Sequence, residues 1–364
     1  MLLNFFPSRS IAWYLGKTFL LRCLAMLAML VLVLQMLDLL SEAGNVLAYP
    51  GNGDGELWRY VSLRMPQIIS RFLPFSVLLG TLIMLATLNA NSEVVAMKSG
   101  GLSAHQILAP LMLAALGVAI ISYVFNERIT ARATATLTAW EEARFGPIPN
   151  DRGVKSNVWV RDGEDLIRAG TITGSGRQVR LQNVDIYDRH GDRLISVIAA
   201  KNGYYTGRDW RLEKVRIFDV TLGTSRDVAA ITVGKGIRPD QFTLSSVDPD
   251  SLSFTELKDA IRTLNESGRP VASLEGALWH KITGPLSALL MPLLGSVAAF
   301  GIARSGKLFV RAVIGMALGF AFFVADNFAL SMGNLGVYPP MLAAWAPFLL
   351  FLLVGEAVLI TTEE

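Results

Sequence analysis

The chain has 364 residues, 52% of them hydrophobic and 17% charged, with a mean hydropathy of +0.43. That balance excludes an ordinary soluble domain. The formal net charge of +3 is small for this length, and the dense basic stripe of a nucleic-acid surface is absent.

Arg9 and Lys17 precede the first apolar run, Phe19–Leu40, which is interrupted by Arg22 near its start and by Gln35 and Asp38 near its end. Edge charges of this kind snorkel to the headgroups. The run is longer than the ~7–15-residue core of a secretory signal and no small-x-small cleavage site follows it, so it reads as a retained first span. The single cysteine, Cys23, lies inside it, which leaves no partner for an intrachain disulfide. Phe72–Ser92, Ser99–Asn126 and Ile282–Ala303 contain no Asp, Glu, Lys or Arg. Each can cover a hydrocarbon core of ~30 Å at ~1.5 Å per helical residue. Val310–Leu330, carrying Asp326, and Met341–Ile360, carrying Glu356, complete a set of six spans, three on each side of a polar insert.

The short loops hold the positive charge: Arg9 and Lys17 before span one, Lys98 between spans two and three, and Arg304, Lys307 and Arg311 between spans four and five. The positive-inside rule places these in the cytoplasm, and with them both termini. Arg59 and Arg64 in the first outside loop weaken the bias without reversing it. The insert Ile129–Leu274 then faces the other side, which in a bacterium is the periplasm.

Within the insert, Ser156–Gly234 changes to short apolar alternations punctuated by turn residues. Val158 and Val160 alternate with Trp159 and Arg161 before Asp162-Gly163; Arg189-His190-Gly191-Asp192 and Gly207-Arg208-Asp209 are further hairpin candidates. Val179 and Leu181 share one parity and Val184 and Ile186 the other, which predicts a bulge near Gln182-Asn183. Strand after strand without a helical period indicates an antiparallel stack of jelly-roll type, whose bare edges are means of docking another strand-built protein. Ser253-Phe254-Thr255-Glu256 then fits a capping box, with Leu257, Ile261 and Leu264 at helical spacing and Gly268 and Pro270 as the stop. Ile129–Arg144, rich in Ala and Thr, extends span three beyond the membrane.

The expected organisation is therefore an α-helical membrane protein with six transmembrane helices and an inserted periplasmic β-jelly-roll domain. Residues 1–128 form the N-terminal half, with spans at about 19–40, 68–92 and 104–126; residues 129–274 form the jelly roll, with a linking helix at about 254–267. Residues 275–364 form the C-terminal half, with spans at about 279–303, 310–332 and 340–361.

No catalytic constellation emerges. Gly16-Lys17-Thr18 resembles the tail of a phosphate-binding loop, yet Ile11 stands where the loop needs a glycine. Gly170, Gly174 and Gly176 do not open a helix after a strand, so they read as turn glycines. His105, His190 and His280 make no metal-ligand spacing, and no metal site is expected.

Three features carry a functional reading beside a plain one. In the inside loop, Ser92 can cap a short helix, Glu93 suits its first turn and Gly100-Gly101 can stop it, leaving Val94 and Met97 on one apolar face. Such a helix suits a groove on an ATPase; the plain alternative is an interfacial turn. Asp326, with Asn327 beside it, costs roughly 2.5–3.5 kcal/mol on insertion scales and should face the bundle interior or a wet cavity. It can orient helices or carry protons, or simply be satisfied by neighbouring helices. Gly315 and Gly319 are spaced as G-x-x-x-G, which permits close helix approach.

Together these residues resemble the LptF/LptG family, the permease subunits of the lipopolysaccharide export ABC transporter. The resemblance covers essentially the whole chain. It rests on Tyr14-Leu15-Gly16-Lys17-Thr18, on Ser92-Glu93-Val94-Val95-Ala96-Met97 with Gly101, and on Leu278-Trp279-His280-Lys281-Ile282 with Pro285-Leu286-Ser287. Asp326 and Gly336-Val337-Tyr338-Pro339-Pro340 also match, and these last three stretches look closer to the G-type than the F-type subunit.

The resemblance implies a bacterial inner-membrane permease, paired with the F-type subunit over a homodimer of a cytoplasmic ATPase. Spans from both permeases would enclose a cavity that lipopolysaccharide enters laterally. Closure driven by ATP would then push it into the periplasmic jelly rolls and on to a single-span, strand-built bridge protein. ATP and Mg would belong to the partner, with no cofactor on this chain. Ser92, Glu93, Val94 and Met97 would form the coupling helix.

Enteric members of the G-type family carry lysines near the periplasmic end of span one; here that stretch has Gln35, Ser41 and Glu42, with Asp38 retained. Lipid phosphate contacts are then expected from Arg59, Arg64, the partner subunit or a differently charged lipid A. The alternatives are the F-type subunit, a proton-coupled secondary transporter using Asp326, or a membrane scaffold without an ATPase; a membrane enzyme has no clustered catalytic residues to support it.

Overall fold

The structure is a computed structural model that describes residues 7–147, 155–162, 164–173, 179–190, 193–233, 239, 248–266, 270–300 and 308–363. Arg304, Lys307 and the expected turn or stop glycines Gly163, Gly174, Gly176, Gly191 and Gly268 lie outside these residues. The first helical part contains α1 (Arg9–Leu47), α2 (Asp54–Ala90), a short α3 (Glu93–Ser99) and α4 (Ala104–Phe125). A single π-helical turn, Asn126–Thr130, leads from α4 into α5 (Ala131–Glu142). Six strands follow: β1 (Lys155–Asp162), β2 (Asp165–Thr173), β3 (Arg180–His190), β4 (Arg193–Tyr205), β5 (Trp210–Asp219) and β6 (Thr224–Val233). The chain returns through α6 (Phe254–Glu266) to α7 (Ala272–Phe300), α8 (Leu308–Asn334) and α9 (Pro340–Glu363).

Among the described residues, five helices are long and apolar enough to cross a membrane: Arg9–Leu47, Asp54–Ala90, the continuous Ala104–Glu142, Val313–Asn334 and Pro340–Thr361. The fold is thus mostly helical, with a six-stranded antiparallel sheet inserted between helical parts. The helices outrun the apolar runs that signal them. Helix α2 starts at Asp54, where Glu56 Oε2 accepts the Gly53 N–H at 2.8 Å, and it passes Arg59 and Arg64 before the hydrocarbon stretch begins. Hydropathy marks only the part of a helix that lipid can cover, while backbone hydrogen bonding continues beyond it.

The chain divides into two compact units. One comprises Met1–Gly146, Pro249–Leu257 and Ala272–Glu364, the other Pro147–Asp248 and Lys258–Val271. In the helical unit the core joins Leu15, Phe19 and Cys23 of α1, Val77–Leu88 positions of α2, Ile107 and Leu111 of α4, and Leu290, Leu293 and Leu294 of α7. Buried hydroxyls in this core bond back to their own helices: Thr81 to Val77 O at 2.7 Å and Ser296 to Leu293 O at 2.7 Å.

Small residues set how closely these helices approach. A Cβ at Gly80 would stand 2.8 Å from both the Cα and the N of Cys23, so backbone meets backbone between α1 and α2. Gly315 and Gly319 are both buried, and a Cβ at Gly319 would run into Leu78 Cδ2. Gly319 therefore lets α8 seat against Leu78 of α2.

The sheet is a meander in the order β1-β2-β3-β4-β5-β6, all pairs antiparallel. The Greek-key crossover of a jelly roll is absent among the described strands. One face is apolar, with Val158, Ile167, Ala169, Val184, Ile186, Ala200 and Val215 all buried. The bulge expected near Gln182-Asn183 is not there: the β3 ladder shifts register instead between Asp188 and Arg189. Asn183, at φ +52°, faces Gly170 with no extra residue on either strand, because Ala169 pairs with Val184 and Thr171 with Gln182. It belongs to a line crossing the sheet, since the paired positions also step over Gly170, Lys201, Lys214 and Ala229. The buried face changes parity along that line, from Ala169 to Ile172, Val184 to Leu181, Ala200 to Gly203 and Val215 to Leu212. At Gly170 a Cβ would lie 2.9 Å from that of Asn183, so only glycine fits where the strands close up.

Helix α6 begins with the expected box. Glu256 Oε2 accepts from Ser253 N at 2.9 Å and from Ser253 Oγ at 2.7 Å, and Leu257, Ile261 and Leu264 are all buried. A second anion joins it, since both carboxylate oxygens of Glu127 lie 2.8 Å from Phe254 N, drawing the π-helical turn to the start of α6.

Two outcomes are expected. Gly80→Ala should lower stability by about 1–3 kcal/mol, because the clash is with backbone that cannot rotate away. Gly44→Ala, with nothing within 4 Å of the added methyl, serves as the control, and thermal unfolding in detergent measures both. The bonds from the Ser253 hydroxyl and backbone N–H hold Glu256 below the usual glutamate range. The stability it adds is present above its unfolded pKa and lost as pH falls through the folded value. Hydrogen-exchange protection of the first turn of α6 should stay level from neutral pH to about pH 5 and fall below about pH 4.

Candidate functional site

Helix α3 forms the turn between α2 and α4, with Glu93 in its first turn and Lys98 in its last, matching the helix dipole. Gly100 and Gly101 stop it as expected: Gly101 has φ +90°, and the N–H of Leu102 reaches Met97 O at 3.1 Å. Ser92 does not cap it. Its backbone is left-handed at φ +61° and its side chain makes no capping bond, because the chain must reverse sharply out of α2 there. Glu93 is held from elsewhere. Its Oε2 accepts from the Tyr14 hydroxyl of α1 at 3.0 Å and its Oε1 from Asn91 Nδ2 at 3.1 Å.

The apolar face of α3 also differs from expectation. Val94 is only 4% exposed and shares a core with Leu15, Phe19 and Ile107, and Met97 packs against that core half-buried. The pair faces the chain's own helices, since apolar side chains beside an existing core gain more by joining it than by waiting in water. The outward residues are Val95, 65% exposed, with Ala96, Lys98 and Ser99.

At the other end of α1 and α2 lies a polar cluster that spacing alone did not reveal. Asp38 Oδ1 accepts from Arg64 Nη2 at 3.0 Å and Nε at 3.1 Å, and Asp38 Oδ2 from the Tyr60 hydroxyl at 2.7 Å. Arg64 Nη1 donates to Gln67 Oε1 at 2.6 Å, and Gln67 Nε2 to Thr134 Oγ1 of α5 at 3.0 Å. Ser70 extends the track to Asn126 and Thr130 in the π-helical turn. Arg64 therefore already holds a carboxylate of its own chain, whereas Arg59 is exposed with its guanidinium 4.7 Å over the buried Trp140 ring. Gln35, three residues before Asp38, is buried, and its amide has no hydrogen bond among the described residues.

In α8, Asp326 faces inward, its side chain 13% exposed, with His280 Nδ1 of α7 at 3.8 Å. Asn327 points away, exposed, and donates to Phe323 O of its own helix at 2.8 Å, because successive helical residues lie about 100° apart. Two of the three histidines thus serve as carboxylate partners, His280 to Asp326 and His105 to Glu356 at 3.0 Å. Among the described residues there is no group of three or more His, Cys, Asp and Glu that could hold a metal. The Gly336–Pro340 stretch is the turn between α8 and α9, with Gly336 at φ +75° and the Tyr338 hydroxyl donating to Ala329 O at 2.9 Å.

Long apolar helices pinned by internal polar pairs, a short helix in the α2–α4 turn and an inserted antiparallel sheet define a multi-pass membrane protein with an inserted β-domain. The family of lipopolysaccharide export system permeases LptF/LptG matches residues 13–361. The chain belongs to this family, the transmembrane permeases of the lipopolysaccharide export ABC system, which have no ATPase domain of their own. It is 27% identical over 352 residues to the lipopolysaccharide export system permease protein LptG of Escherichia coli strain K12, covering 94% of this chain and 95% of that one. To LptG of Haemophilus influenzae it is 28% identical over 354 residues, with the same coverage.

Removing Arg64 leaves Asp38 with Tyr60 alone in a partly buried position. Arg64→Ala should cost about 1–2 kcal/mol, and Asp38→Asn in the same chain should recover part of it, as a coupled pair requires. Unfolding in detergent of both single variants and the double variant measures this coupling.

Proposed function

We propose that this chain is the G-type permease of the export complex. It extracts lipopolysaccharide from the outer leaflet of the inner membrane and passes it to a strand-built periplasmic bridge, driven by a separate cytoplasmic ATPase. The observation that carries this reading is α3. A seven-residue helix in the turn between two long apolar helices, with Val95 exposed and a carboxylate in its first turn, suits a groove on a soluble partner. Ser92, Glu93, Val94 and Met97 shape this element: Val94 and Met97 anchor it to the permease, and Glu93 stands at its start. The relatives that match along the full length are G-type subunits, which supports that assignment over the F-type.

In this reading α7, 29 residues long and free of charge from Ile282 to the end of the helix, is the sixth crossing. Residues 1–128 and 275–364 are the two membrane halves and residues 129–274 the periplasmic domain. The positive-inside rule supports cytoplasmic termini, since Arg9, Lys17 and Lys98 sit at the α3 end. The bare edges of the meander, β1 and β6, are the docking ends for the neighbouring jelly rolls and the bridge protein. Half of the cargo cavity comes from this chain and half from the F-type partner. Arg59, exposed over Trp140, is the better placed of the two arginines for a lipid phosphate, because Arg64 is engaged by Asp38. ATP and Mg act on the ATPase homodimer.

Glu93→Ala should reduce ATPase co-purification or lipopolysaccharide-stimulated ATP turnover by about tenfold while leaving membrane insertion intact. Affinity purification followed by turnover in lipid nanodiscs tests this, and wild-type values for both would sink the coupling role.

A further inference from the structure

Tyr14 is the one residue of α1 whose side chain is shown bonded to α3, and neither the apolar patterning nor the loop's own residues pointed to it. Three observations bear on its role. The usual local restraint on a helix start is missing, since Ser92 is left-handed and does not cap α3. Glu93, at the start of this helix, has each carboxylate oxygen taken once, by Tyr14 from 79 positions away in sequence and by Asn91 from two. Both donors are neutral. A carboxylate offers about four acceptor sites, so two remain, and among the described residues no cation pairs with Glu93. Among the described residues the carboxylate is therefore oriented by neutral donors alone.

The neighbouring contacts give the bond a consequence. Leu15, next to Tyr14, is fully buried in the core that also receives Val94, so this part of α1 is fixed against α3's inner face. Further along, only 11% of the apolar window of α1 is buried within the chain. Helix α1 is held again at Cys23 against Gly80 and at Asp38 by Tyr60 and Arg64, while most of its apolar window is left uncovered by the chain. A shift of α1 would reach Glu93 through the hydroxyl.

Resting on the coupling role proposed for α3, we propose that Tyr14 is a positioning residue. Its hydroxyl fixes the direction of the Glu93 carboxylate toward a basic side chain of the ATPase and ties that direction to the placement of α1. The phenol does not itself touch the partner's cation; it acts through Glu93.

The test uses the permease complex with its co-purifying subunits in nanodiscs, reading lipopolysaccharide-stimulated ATP turnover per bound ATPase. Tyr14→Phe removes one oxygen and should lower that turnover about 3- to 10-fold, the usual range for losing one hydrogen bond to a charged group. In a Glu93→Gln background the same change should have no further effect, because the two residues act as one unit. Glu93→Asp keeps the charge but withdraws it from the hydroxyl by one methylene, and it should match Tyr14→Phe rather than Glu93→Gln. An unaltered turnover for Tyr14→Phe, or equal losses in both backgrounds, overturns the positioning role while the coupling role of Glu93 stands. Wild-type turnover and assembly for Glu93→Gln overturns the coupling role itself, and the positioning role with it.

Discussion

A charged or amide side chain inside a bundle of lipid-facing helices has only the protein to answer it, and that constraint orders most of this structure. Asp38 and Tyr60, Arg64 and Gln67, Gln67 and Thr134 form a chain in which each group satisfies the next across three helices. Asp326 turns to His280, while Asn327, one step around the same helix, faces outward and returns to its own backbone. Because these pairs are directional, they set rotation and height in a way that apolar packing does not. Close approach at Gly80 and Gly319 then brings the helices near enough for side chains to meet.

The same economy explains α3. A helix of seven residues has too few hydrogen bonds to persist alone, since nucleation is costly and each added residue returns little. It holds because Val94 joins the core of the larger helices and Glu93 is tethered to α1 and Asn91. What remains outward is one exposed valine beside small and polar residues. The turn between α2 and α4 is therefore a rigid ledge rather than a flexible loop.

In the inserted sheet the governing event is the line through Gly170, Asn183, Lys201 and Lys214, where every strand from β2 to β5 exchanges its buried parity. A period-2 pattern that fails on one strand alone would turn a side chain the wrong way. Failing at the same place on neighbouring strands, it keeps a continuous apolar face on both sides of the line. Glycine at 170 and a left-handed asparagine at 183 are the local means.

Much of this was legible in the residues. Long charge-free runs announce membrane helices because hydrocarbon tolerates little else, and Ser253 with Glu256 announces a helix start because the bonds involved are local. The parity change at Asn183 could be read on its own strand, but not that it occurs without an extra residue, because that depends on Gly170 opposite changing parity with it. The pairings could not: Tyr14 with Glu93, Asp38 with Arg64 and His280 with Asp326 join residues far apart in sequence, and Ser92 and Val94 took roles that their local context did not specify. By itself the sequence determined which segments enter lipid and which form strands, since those depend on composition and short-range period. Only the tertiary structure decided which polar group answers which, because that depends on helix rotation and approach, set by packing among segments that no local pattern relates.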